Sequence, residues 1–92
     1  MASARSGPLR VSYRAVPGVS RLQFAVPRTV GTAVARNRAR RRAREALREL
    51  ARDGTLALAD GEYRLAISTT LESLSAPELR STLQRLFGEV TP

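Results

Sequence analysis

The chain has 92 residues and a net charge of +8, with no Cys, no His and a single Met. This length suits one domain with a modest core. The missing Cys excludes a disulfide framework and a thiolate metal site, and the missing His removes the commonest general base and zinc ligand. No apolar run approaches a membrane span, and the N-terminus lacks the apolar core of a secretory signal. The default expectation is a soluble, cytoplasmic protein with no membrane partner.

The first predicted elements are two strands. MASARSG, residues 1–7, resembles a transit peptide weakly, and we interpret it as a disordered start. Leu9–Ala15 and Arg21–Val26 each alternate apolar with polar residues, which is typical of half-buried strands. Pro17-Gly18 between them suits a type II turn. The sequence therefore predicts an antiparallel hairpin, ended by Pro27.

A long helix is predicted next, with Thr32 as N-cap and a body from Ala33 to about Ala51 that is rich in Ala, Arg, Glu and Leu. Asp53-Gly54 is expected to stop it. Residues 55–60 are ambiguous, since they fit either a helix extension or a short turn.

The last predicted elements are a third strand at Tyr63–Ser68 and a second helix from about Ala76 to Phe87. Ser75 is the expected N-cap of this helix, and Gly88 is expected to close it. The predicted order is β-β-α-β-α. Residues 8–88 form one domain in this interpretation, and 89–92 form a tail.

Positive charge is concentrated in the first half of the chain. Residues 1–52 contain 13 Arg against two acidic residues, a net +11, whereas residues 53–92 carry a net −3. This polarity is typical of a polyanion-binding face. All 16 basic residues are Arg. Composition bias explains that fact as well as function does, although guanidinium groups do suit phosphates and base faces.

The predicted long helix has an apolar side and an arginine side. On a helical wheel one sector can pack on a sheet; it contains Ala35, Ala39, Ala43, Ala46, Leu47 and Leu50. The cluster of cations that acidic residues nearby in the sequence offset least consists of Arg36, Arg38, Arg40 and Arg41. Such a density without acidic neighbours favours polyanion binding over a merely solvated face, and Ala provides no bulky anchor for a membrane surface. Asn37 fits a base-reading or ribose-reading amide, or an exposed residue that the helix tolerates.

The sequence VGTAVARNRARRRAREA at residues 30–46 resembles the signature of the bacterial ribonuclease P protein component. The signature covers about residues 26–48. The flanking elements agree in order, so the resemblance extends over roughly residues 8–88.

This resemblance implies a fold, a partner and a site. The fold is a two-layer α/β (α+β) sandwich, in which a small mixed sheet is packed by the Arg-rich helix and the C-terminal helix. Its β-α-β crossover is left-handed, against the usual rule. The protein assists an RNA catalyst that removes the 5′ leader of precursor tRNA, and Mg²⁺ is held by the RNA. The implied RNA-binding residues are Arg28, Arg36, Asn37, Arg38, Arg40, Arg41 and Arg44. The implied leader cleft is lined by Val11, Tyr13, Arg36 and Asn37.

The protein itself is expected to hold neither catalytic residue nor metal ligand, and to need no protein oligomer. Its carboxylates are scattered along the sequence, which disfavours protein-borne hydrolysis. Family members usually begin with an aromatic-bearing helix that is absent here or reduced to MASARSG. They also tend to carry basic residues where Thr29 and Ser68 stand. These departures predict weakened leader affinity. Two alternatives are a non-catalytic RNA-binding or ribosome-associated module and a DNA-binding regulator.

Overall fold

The computed structural model describes residues 2–92; Met1, part of the predicted disordered start, lies outside the described residues. The elements in chain order are β1 Ala2–Ser6, β2 Leu9–Arg14, β3 Ser20–Ala25, a 3-10 turn Arg28–Val30, α1 Ala33–Arg52, β4 Gly61–Ile67 and α2 Ala76–Val90. The four strands form one sheet in the order β1-β2-β4-β3. β3 runs parallel to β4, and the other neighbours are antiparallel. The predicted mixed sheet with two helices is thus confirmed. The handedness of the β3-α1-β4 crossover stays a prediction.

Both helices cover the same face of the sheet. Alternation along β2 and β4 places their buried residues on that face; these are Leu9, Val11, Tyr13, Tyr63, Leu65 and Ile67. The predicted apolar sector of α1 is buried there too, apart from the half-buried Ala35. Beside it α2 buries Leu79, Leu83, Leu86, Phe87 and Val90. One core therefore lies between the sheet and the helix layer.

The described part of the N-terminus is a strand, so the expectation of a disordered start is wrong for residues 2–6. Ala2 pairs with Tyr13 and Ser6 with Leu9 across a turn in which Gly7 has φ +56°. Alternate residues of β1, including Ala4, are half-buried against the core. Without β1 the outer edge of β2 would be unpaired. The pairing therefore satisfies backbone N–H and C=O groups of β2. The composition of residues 2–6 did not indicate this role.

The predicted hairpin is also wrong, because β4 lies between β2 and β3. The turn itself forms: Val19 N donates to Val16 O at 3.2 Å, and Gly18 has φ +74°. Past the turn the strands separate, and β4 begins between them at Gly61. A β-carbon on Gly61 would lie 2.5 Å from Arg14 O, and φ is +146° there. Alternation predicts which face a residue takes, but it does not predict which strand lies beside it.

Both helices start at the N-caps that the sequence predicts, whereas one of them ends later than predicted. Thr32 Oγ1 accepts from Ala35 N at 3.2 Å. Ser75 and Glu78 form a reciprocal capping box, with bonds of 3.2 and 3.1 Å. α1 ends at Arg52 without extending into 55–59. α2, in contrast, passes through Gly88 because Val90, 4% exposed, continues its apolar stripe. The predicted domain end at residue 88 is therefore too early.

Candidate nucleic-acid interface

The predicted RNA-binding residues of α1 lie within its first twelve residues, at exposed or half-buried positions. Asn37, Arg38, Arg41 and Arg44 are exposed. Arg36 and Arg40 are half-buried, and Arg28 is exposed in the 3-10 turn that packs against the start of the helix. Six of the seven therefore lie on α1 and the seventh in the turn before it, while the small buried Ala residues of α1 hold the other side of the helix close to the sheet.

The neighbours of these residues are mostly polar groups that RNA can replace. Arg40 donates to the Asn37 amide oxygen at 3.0 Å, which leaves the amide NH₂ group of Asn37 to donate outward. Arg38 lies 3.6 Å from Glu72, and both side chains are more than half exposed. An exposed pair of this kind contributes about 0–1 kcal/mol, so it opposes phosphate binding only weakly.

Arg36 has an incompletely satisfied guanidinium group. Its Nε is buried and has no hydrogen-bond partner among residues 2–92. Leaving a buried donor unpaired costs about 1–3 kcal/mol. The region therefore contains one guanidinium nitrogen whose hydrogen-bonding capacity no described residue satisfies.

Two arginines of the same helix contact groups within the protein: Arg42 binds backbone carbonyls, and Arg44 lies over an aromatic ring. Arg42 is half-buried and donates to the carbonyl oxygens of Leu71 and, at 2.7 Å, Leu74. Its charge fixes the loop before α2, which gives it a structural role. Arg44 lies over the Phe24 ring, 5.2 Å from the ring centre, so a cation–π contact orients it beside β3. Glu49 of the same helix accepts from Arg80 of α2 at 2.9 Å.

The prediction that Val11 and Tyr13 line a leader cleft is wrong. Val11 is fully buried and Tyr13 is 6% exposed, because both point from β2 towards the helices. The Tyr13 ring lies 4.6 Å from that of Tyr63, and its hydroxyl donates to Asp60 O at 2.6 Å. Burial, with smaller effects from Tyr63 and Asp60, raises the pKa of Tyr13, so it stays a neutral core donor. The other two predicted cleft residues, Arg36 and Asn37, lie on α1.

A second basic surface lies on the uncovered face of the sheet, and the sequence reasoning missed it. The alternate residues of the strands point there, among them Arg5, Arg10, Arg14, Arg21 and Arg64. Glu62 accepts from Arg14 and, at 3.1 Å, from Arg21. The hydrogen bond from Arg14 is the main reason that the pKa of Glu62 lies below its usual value, with Arg21 adding to it. The sequence contained a signal for this surface, because arginines occupy several of the polar positions in the alternating strands.

The acidic side chains do not converge on a metal-binding geometry. No group of three or more potential ligands occurs among residues 2–92. Glu62 and Glu78 already accept hydrogen bonds, which lower the pKa of each carboxyl group, for Glu78 mainly through the backbone of Ser75. Both are therefore carboxylates near neutral pH. Within the same residues no helix combines the length and the hydropathy that a membrane crossing needs.

Comparison with known proteins gives one consistent family. The profile described as Ribonuclease P matches residues 2–91. No curated protein matches the chain. Among solved structures, the RNase P protein from Thermotoga maritima is similar with a TM-score of 0.79 and 22% identity, over 99% of this chain and 84% of that one. The RNase P protein of Staphylococcus aureus gives 0.68 and 14%, with the same coverages. A mutant of the S. aureus protein gives 0.74 and 13%, over 95% and 72%.

Proposed function

Because this chain belongs to the Ribonuclease P family, we propose that it is the protein subunit that binds the catalytic RNA and the 5′ leader of precursor tRNA, and so assists RNA-catalysed removal of the leader. The observation that carries the proposal is the basic region of α1 and its preceding turn. It contains six arginines and Asn37, and its only carboxylate contact among residues 2–92 is the exposed Glu72 beside Arg38.

The dimensions of α1 suit a helix laid along an RNA backbone. Twenty residues at 1.5 Å each give a helix of about 30 Å. The arginines occupy its N-terminal and middle turns, where they can meet several phosphates. Each neutralised phosphate releases counterions, so the logarithm of the binding constant falls by about 0.7–0.9 per contact for each unit of log salt. A slope corresponding to several contacts is expected, and a flat salt response would contradict a polyanion-binding face.

The chemistry in this proposal belongs to RNA. Phosphodiester hydrolysis needs a metal or a base. The carboxylates described above are dispersed or bonded to arginines, and the raised pKa of buried Tyr13 keeps it protonated. We therefore assign the Mg²⁺ to RNA phosphates, with the protein lowering the demand for it by reducing repulsion between backbones. The proposal requires one protein chain per contact site and no membrane, and it puts the protein in the cytoplasm with the RNA.

Cleavage of precursor tRNA by the cognate RNA subunit at low Mg²⁺ tests the proposal. Rates would be compared with and without the protein, on substrates with a long leader and with a one-nucleotide leader. Activation is expected, and it should grow with leader length if the leader is bound as well as the catalytic RNA. Arg41→Gln should weaken activation. Arg85→Gln, which removes an exposed arginine of α2 that pairs with Glu89, is the charge-matched control and should not.

Lack of any activation at saturating protein would reject the subunit role and favour an RNA-binding or ribosome-associated module. Activation independent of leader length would support binding of the catalytic RNA and reject leader binding.

A further inference from the structure

A groove lies on the side of α1 that is turned away from α2. Its volume is about 260 Å³. Its apolar lining consists of Leu22, Leu47, Ala51, Leu56 and Leu58. The opposite side of α1 presents other residues to α2, among them Glu49, which accepts from Arg80. The groove is therefore bounded by β3, α1 and the loop that follows α1, and α2 does not line it.

The lining of the groove is apolar yet open to solvent. Leu58 is 43% exposed, and among residues 2–92 the other exposed large hydrophobic residue is Val34, outside the groove. Leu22 and Leu56 are half-buried against the core. A lone exposed leucine is ordinary on a protein surface. Several leucines that line one depression are typical of a surface that another molecule covers.

The groove borders a free edge of the sheet. β3 is the last strand in the sheet order, and its pairing with β4 runs without a bulge or a proline from Ser20 to Ala25. Alternate N–H and C=O groups of β3 therefore point away from β4, and they form no backbone hydrogen bond to another element of the described chain. Such an edge is a template for an added strand. Every second side chain of that strand would enter the groove beside Leu22.

Two exposed arginines of α1, Arg44 and Arg48, also line the groove. They are one helical turn apart, and no carboxylate within residues 2–92 lies at salt-bridge distance from either. Arg44 lies over the ring of Phe24, which follows Leu22 on the same face of β3. An added strand would thus meet leucines near the start of β3 and guanidinium groups further along. Those groups favour acidic side chains.

The charge and the lining of the groove distinguish between three occupants. A second copy that pairs β3 with β3 would bring the Arg44 and Arg48 groups of both copies to one seam, where like charges repel. Single-stranded RNA would use the arginines, but no aromatic side chain lines the groove for its bases to stack on. An extended peptide with apolar and acidic side chains matches the leucines, the arginines and the free backbone edge together.

We propose that this groove and the free edge of β3 bind an extended acidic segment of a partner protein by strand addition. The segment forms main-chain hydrogen bonds with β3, places apolar side chains beside Leu22 and Leu58, and places carboxylates on Arg44 and Arg48. This interaction goes beyond the proposed function. Because Arg44 also belongs to the candidate RNA-binding residues, Arg48 and Leu58 are the positions that test the groove.

The test is fluorescence anisotropy of the full chain with the labelled peptide Ser-Leu-Ser-Leu-Ser-Asp-Ser-Asp and with its reverse sequence, which cover the two possible strand directions. One of them should bind, more weakly as salt rises. Arg48→Glu should weaken binding at least about fivefold, since it reverses a charge at the site. Leu58→Ala should weaken it about fivefold through lost apolar contact. Arg85→Glu on α2 and Val34→Ala are the matched controls and should leave it unchanged. Circular dichroism melting confirms that each variant is folded.

Backbone methylation of the peptide tests strand addition itself. In an added strand only alternate N–H groups point to β3. Methylating the nitrogens of the Ser residues, or those of the Leu and Asp residues, should therefore abolish binding in one case and preserve it in the other. Equal tolerance of both patterns would overturn strand addition.

The remaining outcomes decide the occupant. Absence of binding by both peptides at millimolar concentration would overturn the proposal, and so would undiminished binding by Arg48→Glu and Leu58→Ala. Light scattering that shows a dimer lost in Leu58→Ala, without peptide binding, would replace the partner by a second copy. An RNA oligonucleotide whose binding falls in Leu58→Ala, while the peptide does not bind, would replace it by RNA.

Discussion

Replacing Arg42 and replacing its neighbour Arg41 should have opposite consequences, although both changes remove one charge from one helix. Arg42 donates to two backbone carbonyls, those of Leu71 and Leu74, and Leu71 is 2% exposed. A hydrogen bond from a charged donor contributes about 1.5–3 kcal/mol. Arg42 is half-buried, so the lower end of about 1.5 kcal/mol per bond applies, and two bonds give a cost of about 3 kcal/mol for Arg42→Met. Met has a helix propensity close to that of Arg, so propensity does not confuse the comparison.

Thermal melting in a high-salt buffer measures this difference without the effects of long-range charge. For a domain of this size each 1 kcal/mol shifts the melting temperature by about 4–8 °C. Arg42→Met should therefore melt at least about 12 °C lower than the unaltered protein, while Arg41→Met, at an exposed position, should melt within about 2–3 °C of it. In RNA binding below the melting range the order reverses, since only Arg41 faces outward. Equal melting temperatures would refute the structural role assigned to Arg42.

Four further outcomes follow from individual contacts. Gly61→Ala should cost about 2–4 kcal/mol in unfolding free energy, because its β-carbon meets Arg14 O and φ is positive; urea titration measures it, and a neutral result would contradict the packing of β4. Ser75→Ala should cost about 1 kcal/mol by removing the N-cap, measured as a fall in melting temperature, whereas Ser73→Ala, at an exposed loop position, should not. The depressed pKa of Glu62 means that its stabilising effect is present above about pH 4.5 and is lost as pH falls through the lower folded-state value. The melting difference between the protein and Glu62→Gln should accordingly shrink in acid. Finally, sulfate should raise the melting temperature more than chloride at equal ionic strength, and no difference would count against a preformed anion site.

The sequence predicted the elements whose signals are local. The N-caps Thr32 and Ser75 and the apolar sector of α1 follow from residues close to one another along one helix, and they are confirmed. Strand neighbours do not follow from such signals. Neither the insertion of β4 beside β2 nor the pairing of residues 2–6 is encoded within the strands concerned, because both depend on contacts between distant segments.

The candidate site also divides into a part that local sequence signals predicted and a part that depends on contacts between distant segments. The arginines of α1 were predictable because helix geometry fixes the side of the helix on which they lie. The family signature at residues 30–46 also covers that part of the helix. Tyr13 was assigned to the wrong face because alternation defines two faces of a strand without saying which one the helices cover. Once that choice is reversed, the alternate residues Arg10 and Arg64 come to the surface. The missed basic surface on the uncovered face of the sheet and the wrong cleft are therefore one error with a single physical cause.

The distribution of carboxylates explains how so basic a chain folds and still presents charge to a polyanion. Glu49, Glu62 and Glu89 each contact an arginine of α2 or of the uncovered sheet face. Arg42 is compensated by carbonyl oxygens instead. These contacts neutralise arginines of α2 and of one row of the sheet, and none reaches Arg36, Arg40 or Arg41 on α1, nor Arg10 or Arg64 on the sheet. Because like charges left together on a folded surface repel one another, the fold keeps electrostatic repulsion at these two places. Under the proposed function an RNA backbone relieves that repulsion, so RNA binding should stabilise the folded protein through the same arginines.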